Sequence, residues 1–433
     1  MTQYRSDTNI LLPTNKTIYE VFRLSDRITP SGTATDAFGR LRISQPFTLF
    51  DSQNRYILNE KFTTSNTGTA NANTSYVIHQ STVDMNIGTS STDSVKRETT
   101  RVFAYQPGKS LLVMNTFAMA NAQTNLTQRV GYYNDENGIY LERSNTSTYI
   151  VLRSNSSGTI SETKVEQVNW NKDTFDGSAN SYATSAGHGG LNLTKTNIFW
   201  ADIEWLGVGD VRCGFVVDGL LVPAHIFHND NLNTKAYMTT ACLPIRYEIF
   251  NTGDTSNNST LKQICSTVIS EGGYELQGRP RTVGHNPNTA YDLTTSNTYY
   301  PVLSVKLKSE RPDAIVLPKG LHIAGLSTSG SVLRYKVIAN TTLSDGNWIS
   351  AGSDSSVLYS LNSNTYTGGT DLVSGYVSIT NQASTPVNLG DDVFKFQLER
   401  NGLTNQNTVF TIAVAGQKNG DDVFVSLDWE EVV

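Results

Sequence analysis

A chain of 433 residues is long enough for several domains and for cores that need no disulfide staples. Charged residues make up 17%, below the roughly 25% of ordinary soluble domains, and Asn, Thr, Ser and Gly supply the polarity, which points to a β-rich protein. A formal charge of -6 without any block of Lys or Arg argues against nucleic acid and anionic membrane as partners, and no segment reaches the ~18 apolar residues of a membrane-spanning helix.

In chain order, residues Met1 to Thr35 show no sustained period of 2 or 3.6 apart from the apolar run Ile10, Leu11 and Leu12, and read as an extended N-terminal arm. The opening stretch MTQYRSDTNILLPTNK lacks the basic-then-apolar pattern of a secretory signal, which predicts synthesis in a cytoplasm. Next comes DAFGRLRISQPFTLFDSQNRY (Asp36 to Tyr56), where Pro46 separates two short apolar runs and forbids a central strand. Residues 1–60 are therefore expected as an arm and docking segment, with Ile10, Leu11, Leu12, Phe38, Arg40 and Arg42 contacting a neighbouring subunit.

Residues 61–278 carry strand-length runs in close succession: SYVIHQSTVDM, RETTRVFAYQ, SLLVMNTFAMA, RVGYY, IYLERS and TYIVLRS. Turn chemistry separates them at Asn134–Gly138 and Asn155–Gly158, both rich in residues that tolerate positive φ. Nothing here sustains helical spacing over three turns, so an antiparallel sandwich is expected. The period-less, Gly- and Pro-rich stretch that follows predicts a linker over residues 279–298. A second, smaller sandwich is expected over residues 299–433, with strands such as VLSVKLK, VLRYKVI and VFVSLDW and with Asn401-Gly402 and Asn419-Gly420 as hairpin turns. The fold class is thus all-β, two antiparallel sandwiches of jelly-roll or concanavalin-like type behind an extended arm.

The clearest local pattern is NIFWADIEWLGVGDVRCGFVVDGLLVPAHIFHND. Period 2 places Phe199, Ala201, Ile203 and Trp205 on one face and Trp200, Asp202 and Glu204 on the other. After the GVGD turn, Val211, Cys213, Phe215 and Val217 repeat the inward set, and Asp218-Gly219 offers a tight hairpin, so three antiparallel strands should follow one another. His225 and His228, three apart, fall on opposite faces of a strand, which argues against a shared metal and for one histidine near the core and one at the surface.

Other candidate sites are thin. Asn171, Asp173 and Asp176 resemble a calcium loop, but Phe175 breaks the alternation of ligands and no bidentate Glu follows. Asp202 and Glu204 stand roughly 6.5 to 7 Å apart by strand rise, a spacing that suits paired carboxylates in glycoside hydrolysis but also any solvent-facing strand. Trp200, Tyr132 and Tyr133 are candidate exposed aromatics for stacking against a glycan. Cys213, Cys242 and Cys265 have no CxxC spacing and read as reduced thiols. No cofactor is expected.

Asp36 to Tyr56, RVGYYNDENGIYLER and TKTNIFWADIEWLGVGDVRCGFVVDGLLVPAHIFHND together resemble a family of virion structural proteins from tailed bacteriophages, especially marine and cyanobacterial ones, over roughly Asp36 to Gly278. The VRCGFVVDGLLV hairpin is also similar to strand pairs of concanavalin-like and laminin-G-like sandwiches. The resemblance implies a non-enzymatic component of the particle, in capsid decoration, neck, tail, baseplate or fibre. Its partners would be other virion proteins and copies of itself in a homo-oligomer, trimer included. An adhesin for a host-surface glycan, or a depolymerase, is the alternative.

Overall fold

A computed structural model describes residues 45–432 except 180, 183–186, 188, 276–277, 328–329, 380–384, 389–396 and 405. The arm residues Ile10, Leu11, Leu12, Phe38, Arg40 and Arg42 lie outside the described residues. From Phe47 on, the chain is all-β, with four main antiparallel sheets paired into two sandwiches.

In the larger sandwich one sheet runs, edge to edge, Leu220–Phe227, Val211–Val217, Asn197–Ile203, Leu111–Ala118, Ser259–Ser270, Thr82–Ile87 and Asn73–Val77, with Phe47–Gln53 also paired to Ser259–Ser270. Facing it is a sheet ordered Ser161–Glu166, Ser147–Ser154, Gly138–Ser144, Leu126–Tyr133, Ile245–Asn251, Ser94–Thr99 and Phe62–Thr67. Between them lies one apolar core that includes Phe50, Met85, Phe117, Phe199, Phe215 and Ile249. Each such side chain contributes about 1.5–3 kcal/mol when removed from water.

The meander forms with the expected faces. Phe199 pairs with Phe215, Ala201 with Cys213 and Ile203 with Val211, and all six are buried in the core. Val217 pairs with Leu220 across a two-residue turn in which Asp218 and Gly219 have φ of 50° and 79°. Positive φ at both central positions gives the turn a twist that matches the flanking strands.

Several expected boundaries move. Phe47–Gln53, placed in the docking segment, is a strand of the larger sandwich that puts Leu49 and Phe50 into its core. Pro46 stands immediately before this strand and takes no part in it. The run SYVIHQSTVDM is a hairpin with its turn before Thr82, where Ser81 takes a φ of 53°.

The expected linker at 279–298 also changes. Arg279–Gly284 and Tyr291–Leu293 are strands that both pair with the edge of Asp421–Val432, so this segment is part of the smaller sandwich. That sandwich stacks the sheet Arg279–Gly284, Asp421–Val432, Ile315–Leu326 and Thr385–Asn388 on a second sheet ordered Ile349–Ser350, Val357–Ser360, Tyr300–Leu307, Val409–Gly416, Ser331–Leu343 and Tyr366–Thr367. Thr370–Ile379 pairs with Ser331–Leu343 along much of that strand's length. A separate core around Val305, Leu321, Val337, Ile412 and Trp429 holds the two sheets together. Asn401-Gly402 does turn a hairpin, between Arg400–Asn401 and Gln406–Asn407. Asn419-Gly420 instead carries the chain from one sheet to the other, since Val409–Gly416 and Asp421–Val432 belong to different sheets.

Candidate functional site

Where the two sandwiches meet, charged side chains are removed from water. Glu98, on a strand of the larger sandwich, has a side chain 1% exposed and accepts from two guanidinium groups: Arg246 Nε at 2.7 Å and Arg400 Nη1 at 2.8 Å. Arg246 belongs to the neighbouring strand, and Arg400 arrives from the Asn401-Gly402 hairpin of the smaller sandwich. The side chains of Arg246 and Arg400 are 3% and 2% exposed. Arg400 also reaches Asp313 at 2.6 Å, and Arg246 reaches Asp135 at 2.5 Å. Burial pushes the Arg246 guanidinium down, but Glu98 and the neighbouring anionic groups raise it above its ordinary value overall.

Main-chain and apolar contacts reinforce the same junction. Thr100 Oγ1 donates to Glu399 Oε2 at 2.9 Å, Arg400 N donates to Thr100 O at 2.8 Å, and Gln397 Nε2 donates to Val102 O. Val102 and Ala104 pack with Ile315 and Leu317 in a small shared core. No sequence pattern announces this arrangement, because its members come from five separated segments that only the fold brings together.

The glycan candidates do not present surface. Tyr132 and Tyr133 are fully buried and Trp200 is 4% exposed. Tyr132 sits in the core, its hydroxyl donating to Ala241 O at 2.7 Å and accepting from Leu243 N at 3.0 Å. Tyr133 packs on Tyr140 with ring centroids 4.4 Å apart, and the guanidinium groups of Arg153 and Arg246 lie 5.6 and 5.2 Å from its ring centre. Trp200 does project from the other face of its strand, as expected, but it lies over Gly214: a Cβ there would meet its Cζ2 at 2.9 Å. Its indole N–H donates to Phe215 O at 3.2 Å.

The calcium candidates are occupied by their own loop. Asn171 exchanges hydrogen bonds with the backbone of Ile226, at 2.9 Å in each direction. Asp173 accepts from Phe175 N and Tyr182 N, and Asp176 accepts from Ser178 N. These contacts direct the carboxylates to backbone amides instead of towards a common centre.

Asp202 and Glu204 are not a matched pair either. The strand ends at Ile203, after which Leu206 and Gly207 take positive φ, so Glu204 is exposed beyond the sheet. Asp202 is buried and bound to Arg212 Nη2 at 2.5 Å. Burial, together with Glu271 and Glu204, raises its pKa against the opposing effect of Arg212.

His225 is buried and His228 exposed, but the strand ends at Phe227 and is bulged beside His225, so His228 is exposed by lying beyond the strand and not by alternation along it. His225 Nδ1 accepts from Asn171 N, and burial, helped by His228, lowers its pKa to about 4. The register that pairs Val211 with Phe227 brings Asp210 beside His228, and with Asp230 the three offer ligand atoms within 4.8 Å of one another. That grouping was legible only after the register was known. His228 Nδ1 is already paired with Asp210 Oδ2 at 3.0 Å. The cysteines form no disulfide.

No protein-family model and no curated protein matches the chain. Solved structures similar to it include a protein described as an endo-acting O-glycanase of the human gut microbiota, with 10% identity, covering 52% of this chain and 99% of that one at a TM-score of 0.37. The CBM2 module of the evolved Dit of Lactobacillus casei phage J-1 has 7% identity, covering 54% and 100% at 0.33. LamAcat from Zobellia galactanivorans has 10% identity, covering 51% and 96% at 0.32. No helix among the described residues is long and apolar enough to cross a membrane.

Proposed function

We propose that the chain is a non-enzymatic structural component of a tailed-bacteriophage particle, acting through contacts with other virion proteins and with copies of itself. The observation that carries this reading is the junction at Glu98. Two sandwiches of one chain ordinarily retain relative motion unless their interface is large and apolar. Here the chain places a carboxylate and two guanidinium groups out of water at that interface, an arrangement whose desolvation cost roughly cancels its attraction. Such a cluster adds little net stability, but it tolerates one docking geometry only, because any opening leaves a buried charge without its partner. A fixed two-domain block is what a repeated assembly contact requires, whereas a catalytic or lectin module on a tether needs no such constraint.

The resemblance of residues 36–278 to phage structural proteins supplies the virion part of the reading. The candidate carboxylates support the non-enzymatic part: Asp202 is tied to Arg212 and Glu204 lies off the strand. Quantitative mass spectrometry of washed, purified particles tests the proposal. A fixed copy number relative to the major capsid protein is expected. Abundance in infected-cell lysate with absence from washed particles would overturn it.

A further inference from the structure

Opposite Phe424 and Val425, the edge of strand Asp421–Val432 loses its partner strand. Register resumes only when Tyr291 pairs with Val423, and residues 285–290 swing out between the two paired stretches. His285 fills the gap in the ladder: its backbone N–H donates to Val425 O at 3.1 Å, and its ring Nδ1 lies 3.2 Å from both the N and the O of Val425. The main-chain polar groups that the detour would orphan are thus satisfied. The detour leaves an open cavity of about 390 Å³, walled by His285, Tyr291, Asp292, Tyr300, Asn362 and Asn364.

The chemistry of this wall narrows the ligand. It contains no Lys or Arg, so a phosphate or carboxylate ligand would meet no counter-charge. Asp292 is its sole carboxylate and His285 its sole imidazole, a poor set for a cation. What remains is apolar ring surface beside neutral hydrogen-bonding groups. Tyr291 and Tyr300 have ring centroids 5.9 Å apart at 49°, a bent two-ring surface. Both rings are fixed at their polar ends: Tyr291 hydroxyl donates to Ser363 O at 2.7 Å, and Tyr300 hydroxyl pairs with Thr294 Oγ1 at 2.8 Å. Rigid aromatic surface of this kind makes contact at little entropic cost. The Asn364 amide is oriented by Asp345, and Asp292 and Asn362 are exposed at the rim.

We propose that this cavity is a binding site for a neutral saccharide, one or two sugar units in size, with Tyr291 and Tyr300 packing against the C–H faces of the sugar and Asp292, Asn362 and Asn364 engaging its hydroxyls. Amphipathic rings next to amide and carboxylate groups match a ligand whose surface alternates C–H patches with hydroxyls, and the volume falls at the lower end of the range for small-molecule sites. The larger cleft beside the domain junction is a poorer candidate, since its charges answer one another, Lys96 with Asp135 and Glu248. The saccharide site does not depend on the virion reading: a purely structural subunit and an attachment subunit would carry it alike.

Saturation-transfer NMR and calorimetry on the full chain test it, with maltose, cellobiose, lactose and chitobiose as probes. Binding of at least one disaccharide at a Kd of roughly 0.1–10 mM is expected. The same sugar should bind at least about tenfold more weakly to Tyr300→Ala, which removes one ring, and to Asn362→Ala, an exposed loop change that spares the fold. Absence of signal from all four sugars at about 20 mM would overturn the proposal, and so would binding that neither substitution weakens while both proteins keep the wild-type melting transition.

Discussion

Replacing Glu98 by Gln is the sharpest perturbation of the domain junction. The amide has nearly the volume of the carboxylate, so no cavity opens and the change is purely one of charge and hydrogen bonding. In the native protein Glu98 answers both Arg246 and Arg400, at 2.7 and 2.8 Å, with all three side chains at most 3% exposed. After the change, Arg246 keeps Asp135 and Arg400 keeps Asp313, but these carboxylates are 71% and 36% exposed and give screened compensation. Breaking a buried pair by removing one partner costs about 3–5 kcal/mol, and the remaining partners place this case near the lower value. For a domain of this size, 3 kcal/mol corresponds to roughly 6–12 °C in melting temperature. Calorimetry on the full chain measures it. In a double-mutant cycle with Arg400→Met, the two losses should be non-additive by at least about 0.5 kcal/mol, because the second change removes a charge whose buried partner the first has already taken away. A loss below about 1 kcal/mol for Glu98→Gln, or strict additivity with Arg400→Met, would show that Glu98 behaves as an exposed pair and not as a buried clamp.

Gly214→Ala should destabilise the larger sandwich, because its Cβ would meet Val222 O at 2.0 Å and Trp200 Cζ2 at 2.9 Å; overpacking costs about 1–3 kcal/mol, measurable by denaturant unfolding. Trp200→Ala should cost about 3–5 kcal/mol by the same measurement while leaving any saccharide affinity unchanged, as expected for a packed ring. His225 has a folded pKa of about 4 against an ordinary 6.5, so the unfolded chain binds the extra proton first. Stability should therefore fall as pH drops from 6.5 towards 4, and His225→Gln should flatten that limb of a stability-versus-pH curve. Glu162 is held at about 2 against 4.5: burial opposes the shift, and hydrogen bonds from Tyr140, Arg153 and Lys164 impose it. The stability it contributes is complete above pH 4.5 and lost as pH falls towards 2, so Glu162→Gln should reduce acid sensitivity in that window.

The sequence made the meander legible because alternation, turn residues and strand length agree over residues 197–227, and each signal is local. The same alternation put Trp200 correctly on the second face, yet exposure did not follow, since Gly214 on the adjacent strand leaves a slot for the ring. Tyr133 is hidden for a related reason: the guanidinium groups that cover it come from other strands of the sheet. The stretch at 279–298 looked like a linker because its strands are short and interrupted, and the strand that pairs with them lies at the far end of the chain. Ile315–Leu326 carries no clear strand signal in the sequence because Pro318 interrupts its pattern, and the structure absorbs that break as a register shift between Pro318 and Gly320. The Glu98 junction and the Tyr291–Tyr300 cavity were invisible for the same reason: each is assembled from segments that only the tertiary fold brings together.

The proposed role requires this chain to be a fixed block in a particle. A cryo-EM reconstruction of the purified virion is the direct measurement. Density for both sandwiches is expected at symmetry-related positions, fitted by one rigid placement of the described residues from Phe47 to Val432 with the Glu98 junction closed. A complete reconstruction without such density, or one in which the two sandwiches take different relative orientations from copy to copy, would contradict the proposed role.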